Sequence, residues 1–205
     1  MFRGMTSFTR QELEAARGRR VPDLVRPGVK LLFVGINPGL WTAAAQAHFA
    51  RPGNRFYRAL HAGGLVDREL NVRGGFDARS RAALLDRGIG ITNLVNRATA
   101  RADELAPDEL RRGARSLARK VARWEPGVVA VVGITAYRTA FDRPRAAIGK
   151  QPETLAGAEL WALPNPSGLN AHYQVDALAD LYRAAALAAG LDVTPGPGRA
   201  IRAPA

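Results

Sequence analysis

The chain contains no cysteine. Disulfide stapling, thiolate catalysis and cysteine-ligated metal are thereby excluded. Histidine is almost as scarce. His48, His61 and His172 are the whole supply and stand at no metal-ligand spacing, so no metal centre is expected. Only three lysines occur, Lys30, Lys120 and Lys150. No apolar run approaches the roughly 20 residues that a membrane span requires. The first residues lack the apolar core of a signal peptide, which makes the cytoplasm, with its nucleoid, the expected compartment. Two nucleotide fingerprints are also missing: no G-x-G-x-x-G follows the first apolar run, and there is no P-loop lysine.

Positive charge is what the chain has in excess. The formal net charge is +12 and the isoelectric point is near 11.3. Of 30 basic residues only 3 are lysine, which leaves 27 arginines. Such a balance favours a polyanionic partner, nucleic acid or an anionic membrane surface. Arginine adds bidentate phosphate contacts. An arginine- and alanine-rich proteome accounts for much of the Arg/Lys ratio, but less well for the net charge. The length, 205 residues with 47% hydrophobic content, suits one domain with a full core.

Leu31-Leu32-Phe33-Val34-Gly35 is uniformly apolar or small, the pattern of a strand buried on both faces. It runs into Ile36-Asn37-Pro38-Gly39. Pro38 offers no N–H and Gly39 can take a positive φ, so Asn37 is expected on a rigid turn beyond a strand's carboxyl end. Open α/β sheets place ligand sites there. Read alone, Asn-Pro-Gly is equally well a plain turn signal. The design recurs in Leu160 to Leu169, where an apolar run ends in Asn165-Pro166-Ser167-Gly168. Further strands are predicted over 90–95, 128–133 and 159–164. Helices are predicted from Arg10 to about Arg17 behind a Thr9/Glu12 capping box, over 54–62 behind Asn54, over 79–87, over 107–124, over 135–141, and in the last stretch with core positions Val175, Leu178, Leu181, Tyr182 and Ala185. A loop is expected over 40–53, carrying His48 as a surface residue and Phe49, and a basic loop over 143–151. The alternation implies an α/β fold: a three-layer α/β/α sandwich on a mainly parallel sheet of about four strands. Residues 1–28 read as a basic N-terminal arm, 29–190 as a single domain, and 191–205 as a disordered Pro/Gly-rich tail.

GINPG (Gly35 to Gly39) together with NPSGL (Asn165 to Leu169) resembles the mismatch-specific uracil/thymine-DNA glycosylases of the uracil-DNA glycosylase superfamily. Phe49 with Arg51-Pro52-Gly53-Asn54-Arg55-Phe56-Tyr57, and Gly88 to Val95, extend the likeness from about Val21 to about Ala189. The resemblance implies a DNA repair glycosylase. Such an enzyme flips uracil out of DNA and hydrolyses its N-glycosidic bond, leaving an abasic site. Thymine or other damaged pyrimidines, notably opposite guanine, fall within the same implied range. It also implies that Asn37 orients the attacking water, that Phe49 stacks on the base, and that Asn93 reads the pyrimidine edge. Ile36, Pro38 and Gly39 would complete the substrate pocket. Asn165, Pro166, Ser167, Gly168 and Leu169 would meet DNA, with Leu169 as an apolar plug in the gap left by the flipped base. The implied partners are double-stranded DNA with uracil or mismatched bases, and single-stranded DNA, met by a monomer without cofactor.

One departure stands out. Family members often carry an arginine shortly after the wedge, to hold the unpaired purine. Here those positions read Asn170-Ala171-His172, which puts that contact in doubt unless His172 substitutes. Two other readings share many of these residues: a catalytically inactive DNA-binding relative, and an α/β enzyme acting on nucleosides or nucleotides.

Overall fold

The computed structural model describes residues 7–168 and 172–194. Its strands are β1 (Leu31–Gly35), β2 (Ile89–Asn93), β3 (Val128–Val132), β4 (Gly149–Leu155) and β5 (Ala158–Leu163). They form one sheet in the order β2-β1-β3-β5-β4. The pairs β1–β2, β1–β3 and β3–β5 are parallel, and β4 runs antiparallel to β5.

Every residue of β1, β2 and β3 is buried, so both faces of the sheet are covered, as their unbroken apolar runs require. The pleat sends alternate side chains to opposite layers. Leu31 and Phe33 join Phe56, Leu60, Leu178 and Tyr182, which come from α3 (Phe56–Ala62) and α7 (Val175–Ala188). Leu32 and Val34 join Leu110, Leu117, Val121 and Tyr137, from α5 (Pro107–Trp124) and α6 (Ile134–Ala140). The expected three-layer sandwich is therefore present. Helix α5 shows how the sequence builds it. Pro107 opens the first turn, Asp108 and Glu109 complement the helix dipole, and Leu110, Ala114, Leu117 and Val121 are buried at helical spacing. Each buried leucine or valine there contributes about 1.5–3 kcal/mol.

Several expectations are corrected. The sheet has a fifth strand: β4 occupies part of the stretch read as a basic loop. It is an edge strand with Pro152 inside the register shift between Lys150 and Thr154, where a missing N–H removes no regular ladder bond. The stretch read as one loop over 40–53 opens with a helix, α2 (Leu40–Ala45), capped at its far end by Gln46 in the left-handed region. The segment read as an arm is packed. Thr9 and Glu12 form the expected capping box on α1 (Arg10–Glu14), but Ala16, Val21 and Leu24 are buried, and Leu24 exchanges both backbone hydrogen bonds with Ile91. Apolar positions at 16, 21 and 24 have too loose a period to read as an element. Of the expected tail, Leu191 is buried and the Thr194 N–H donates to the Gly64 carbonyl; residues 195–205 lie outside the described residues. Lys120, on α5, pairs with Asp23 at 2.8 Å and donates to the Thr92 hydroxyl.

Candidate active site

Parallel register carries the two main motifs to one place. Gly35 at the end of β1 stands beside Asn93 at the end of β2. Beyond the strands the pairing continues, with Leu94 N–H donating to Gly35 O and Val95 N–H to Ile36 O. Between these turns and the end of β5 lies an open cleft of about 750 Å³. Ile36, Asn37, Gly39, Phe49 and Asn93 line it, together with Asn165 and Ser167. Seven of the residues proposed from sequence are thus assembled around one opening. Pro38 stands behind it, its carbonyl accepting from Thr99 N–H at 3.1 Å. Pro166 and Gly168 belong to the same turn as Asn165, and Leu169 lies outside the described residues.

The Asn37 amide is held from one side. Its Nδ2 donates to the carbonyls of Pro38 and Arg97, at 3.2 and 2.9 Å, and to the Thr99 hydroxyl at 2.7 Å. Two of these partners are carbonyls, which only accept, so the nitrogen must face them. Among the described residues nothing donates to the opposite oxygen. Arg97 is itself fixed, bidentate on Glu109 at 3.0 Å for both bonds. A neutral amide cannot titrate, but locked in this way it can accept a hydrogen bond from a water at a defined place.

Phe49 forms another wall. Its backbone sits in the left-handed region at φ 56°, uncommon for a bulky residue and a mark of a conformation imposed by its surroundings. The ring stacks on Phe56 at 4.0 Å with 21° between planes. Gly35 makes the close approach possible: a Cβ there would stand 2.5 Å from Asn93 Oδ1 and 3.3 Å from Phe49 Cζ.

Asn93 is buried, and so is His48, which is only 2% exposed. The reading of His48 as a surface residue is corrected. His48 Nε2 lies 2.9 Å from the Pro22 carbonyl and Nδ1 lies 3.3 Å from Asn93 Nδ2. Burial pushes its pKa down to about 4, against a smaller opposing pull from the Pro22 carbonyl.

The turn Asn165 to Gly168 is held from below. Asn165 Oδ1 accepts from Ser167 N–H. The backbone N–H of Arg55 donates to Pro166 O at 2.9 Å. The Arg55 guanidinium donates to the carbonyls of Ser167 and Tyr173, at 3.3 and 3.2 Å. Gly168 allows close backbone approach, as its type suggests, but toward its own chain: a Cβ there would stand 2.7 Å from Gly53 O. Gly39 does not use a positive φ either. It is the extended N-cap of α2, at φ −75°. A neighbouring cleft of about 740 Å³ shares Ile36 and Asn165 and is lined by His172 and Tyr173, so His172 stands beside the site. Thr99, His48 and Arg55 were missed as site residues. Their ties span long stretches of chain, and no local pattern marks them.

The sequence model of the uracil DNA glycosylase superfamily matches residues 22–187. A solution NMR structure from Methanosarcina acetivorans, described as a candidate uracil DNA glycosylase, is similar at 16% identity with a TM-score of 0.55. The match covers 82% of this chain and 97% of that one. At that identity the likeness concerns the fold.

Proposed function

The chain belongs to the uracil DNA glycosylase superfamily, and on that footing we propose that it excises uracil from DNA as a monofunctional glycosylase of the mismatch-specific kind, with uracil opposite guanine as its main substrate. The observation that carries this reading is the Asn37 amide, locked on its nitrogen side and with its oxygen turned away from the three groups that hold it. In the proposed reaction the nucleotide leaves the stack, at a cost of a few kcal/mol that is lower at a mismatch. Uracil enters between Phe49 and the β1 turn. The bond from the anomeric carbon to N1 breaks and its electron pair leaves with the base. Backbone N–H groups of the Ile36 to Gly39 turn stabilise that charge. A water accepted by Asn37 adds its oxygen to the anomeric carbon, and its proton ends on the departed base. No carboxylate and no metal takes part in these steps, which suits a modest rate and a good leaving group. Asn93 meets the pyrimidine edge. Leu169 fills the gap in the duplex, and the Arg55 ties keep the turn that carries it in place.

The test is single-turnover cleavage of a duplex with uracil opposite guanine, read by alkaline strand scission, in buffer with excess EDTA. Wild-type protein should cleave, and Asn37→Ala should be slower by about 10²-fold or more, as lost positioning of a nucleophile predicts, while binding the same duplex. No cleavage by the wild type would leave either a DNA-binding relative, if it still binds the duplex, or an enzyme acting on nucleosides or nucleotides, if it does not. Undiminished cleavage by Asn37→Ala would remove Asn37 from the mechanism.

A further inference from the structure

Asn93 can serve as a base reader only if its amide points one way. An amide carries a donor end and an acceptor end, and rotating it by half a turn exchanges them. Uracil presents an N3–H donor beside a carbonyl acceptor. Cytosine presents an N3 acceptor beside an amino donor. The same asparagine in the same place therefore fits one base or the other according to its rotation.

The surroundings choose the rotation. Pro22 O can only accept, so His48 Nε2, 2.9 Å away, must carry the proton. Burial keeps the ring neutral, which leaves Nδ1 as an acceptor. The group 3.3 Å from Nδ1 must then be the amide N–H2 of Asn93. Pro22 itself is not free to turn, because the neighbouring Val21 exchanges hydrogen bonds of 3.0 and 2.8 Å with the Asn96 side chain. The Asn93 oxygen lies on the Gly35 side, in the room left by the missing Cβ. One N–H and the oxygen of Asn93 remain for a base.

We propose that His48 is a positioning residue that fixes the rotation of the Asn93 amide, setting the site for the N3–H and carbonyl edge of uracil against the edge of cytosine. This rests on the reading that Asn93 meets the flipped base. It gives His48 a role that its burial alone does not require, since a leucine would fill the same space.

Two substitutions separate this role from simple packing. Asparagine at position 48 places its side-chain oxygen about where the imidazole Nδ1 stands, and so keeps an acceptor for Asn93. Glutamine reaches the place of Nε2 and keeps only the bond to Pro22. Single-turnover excision of uracil opposite guanine should fall less than about threefold in His48→Asn and about tenfold or more in His48→Gln, the order of one buried hydrogen bond. Both variants should bind a duplex carrying a tetrahydrofuran abasic analogue as the wild type does, since no base occupies the pocket there. In an Asn93→Ala background, His48→Gln should have no further effect on the rate, because the coupling runs through the amide. If His48→Gln outperforms His48→Asn, or lowers the rate as strongly in the Asn93→Ala background, the histidine only fastens the loop to Pro22 and the proposal falls. A wild type inactive on uracil would instead overturn the function on which it rests. Thermal melting of each variant keeps loss of fold apart from either outcome.

Discussion

The hydroxyl of Thr99 accepts from Asn37 Nδ2 at 2.7 Å and donates to the carbonyl of Arg101 at 2.6 Å. With its single proton turned to Arg101, the hydroxyl meets Asn37 as an acceptor, which reinforces the amide rotation that the two carbonyls set. Thr99→Val keeps the shape but removes the acceptor. Single-turnover uracil excision by this variant should drop about tenfold, and Thr99→Ser should stay near wild type. Equal loss in both would assign the effect to packing of the methyl group.

Salt should weaken DNA binding steeply. The net charge is +12, and the exposed Arg51 lies at the cleft rim. Each phosphate neutralised contributes a slope of about −0.9 in log K against log salt. Several such contacts are expected in a titration from low to physiological ionic strength. A flat profile would show that the charge serves another purpose than DNA.

The depressed pKa of His48 links stability to pH in a definite direction. The folded value is about 4 and the ordinary value 6.5. Between them the unfolded chain binds a proton that the folded chain does not. Stability is therefore full above about pH 6.5 and declines as pH falls toward 4, by an amount on the order of 3 kcal/mol. Asp23 opposes the shift and Lys120 adds to it, both weakly beside burial. Glu12 and Asp77, held below the ordinary carboxylate range by hydrogen bonds at their helix starts, act only below about pH 4.5. Urea unfolding at pH 7 and pH 5 should show the decline in the wild type and its loss in His48→Gln. The same decline in both proteins would place its origin elsewhere.

Tyr182 offers a stability test away from the site. It is fully buried, and its hydroxyl has no hydrogen-bond partner among the described residues. An unpaired buried hydroxyl costs about 1–3 kcal/mol. Tyr182→Phe should therefore raise the melting temperature without changing excision. A lower melting temperature would reveal a partner for that oxygen.

The sequence made the ends of β1 and β5 legible because an apolar run leading into Asn-Pro allows little else. That Asn37 and Asn93 line one cleft follows from parallel strands in register, with Gly35 beside Asn93, which a likeness to a known family could supply and composition could not. Strand β4 escaped because an edge strand needs no apolar run, and Pro152 argued against one. Helix α2 escaped because Ala43, Ala44 and Ala45 give no amphipathic contrast. His48 and Thr99 act through ties that close 45 and 62 residues of chain. No periodicity reports such distances, and a lone polar residue in a loop reads as solvated until its neighbours are known.

The strand order has a consequence for how the molecule comes into being. β1 emerges early, yet its neighbours in the sheet are β2 and β3, and the turn that closes the cleft follows β5, near residue 165. Only β4 and β5 pair locally. Non-local pairings of this kind form slowly, because the loops between them must close before the contacts reward it. The cleft therefore has no early precursor: a nascent chain that has released Asn37 still lacks the wall opposite it. Competence and compactness should arrive in the same step, so that on refolding from urea the recovery of excision and of helical circular dichroism share one time course.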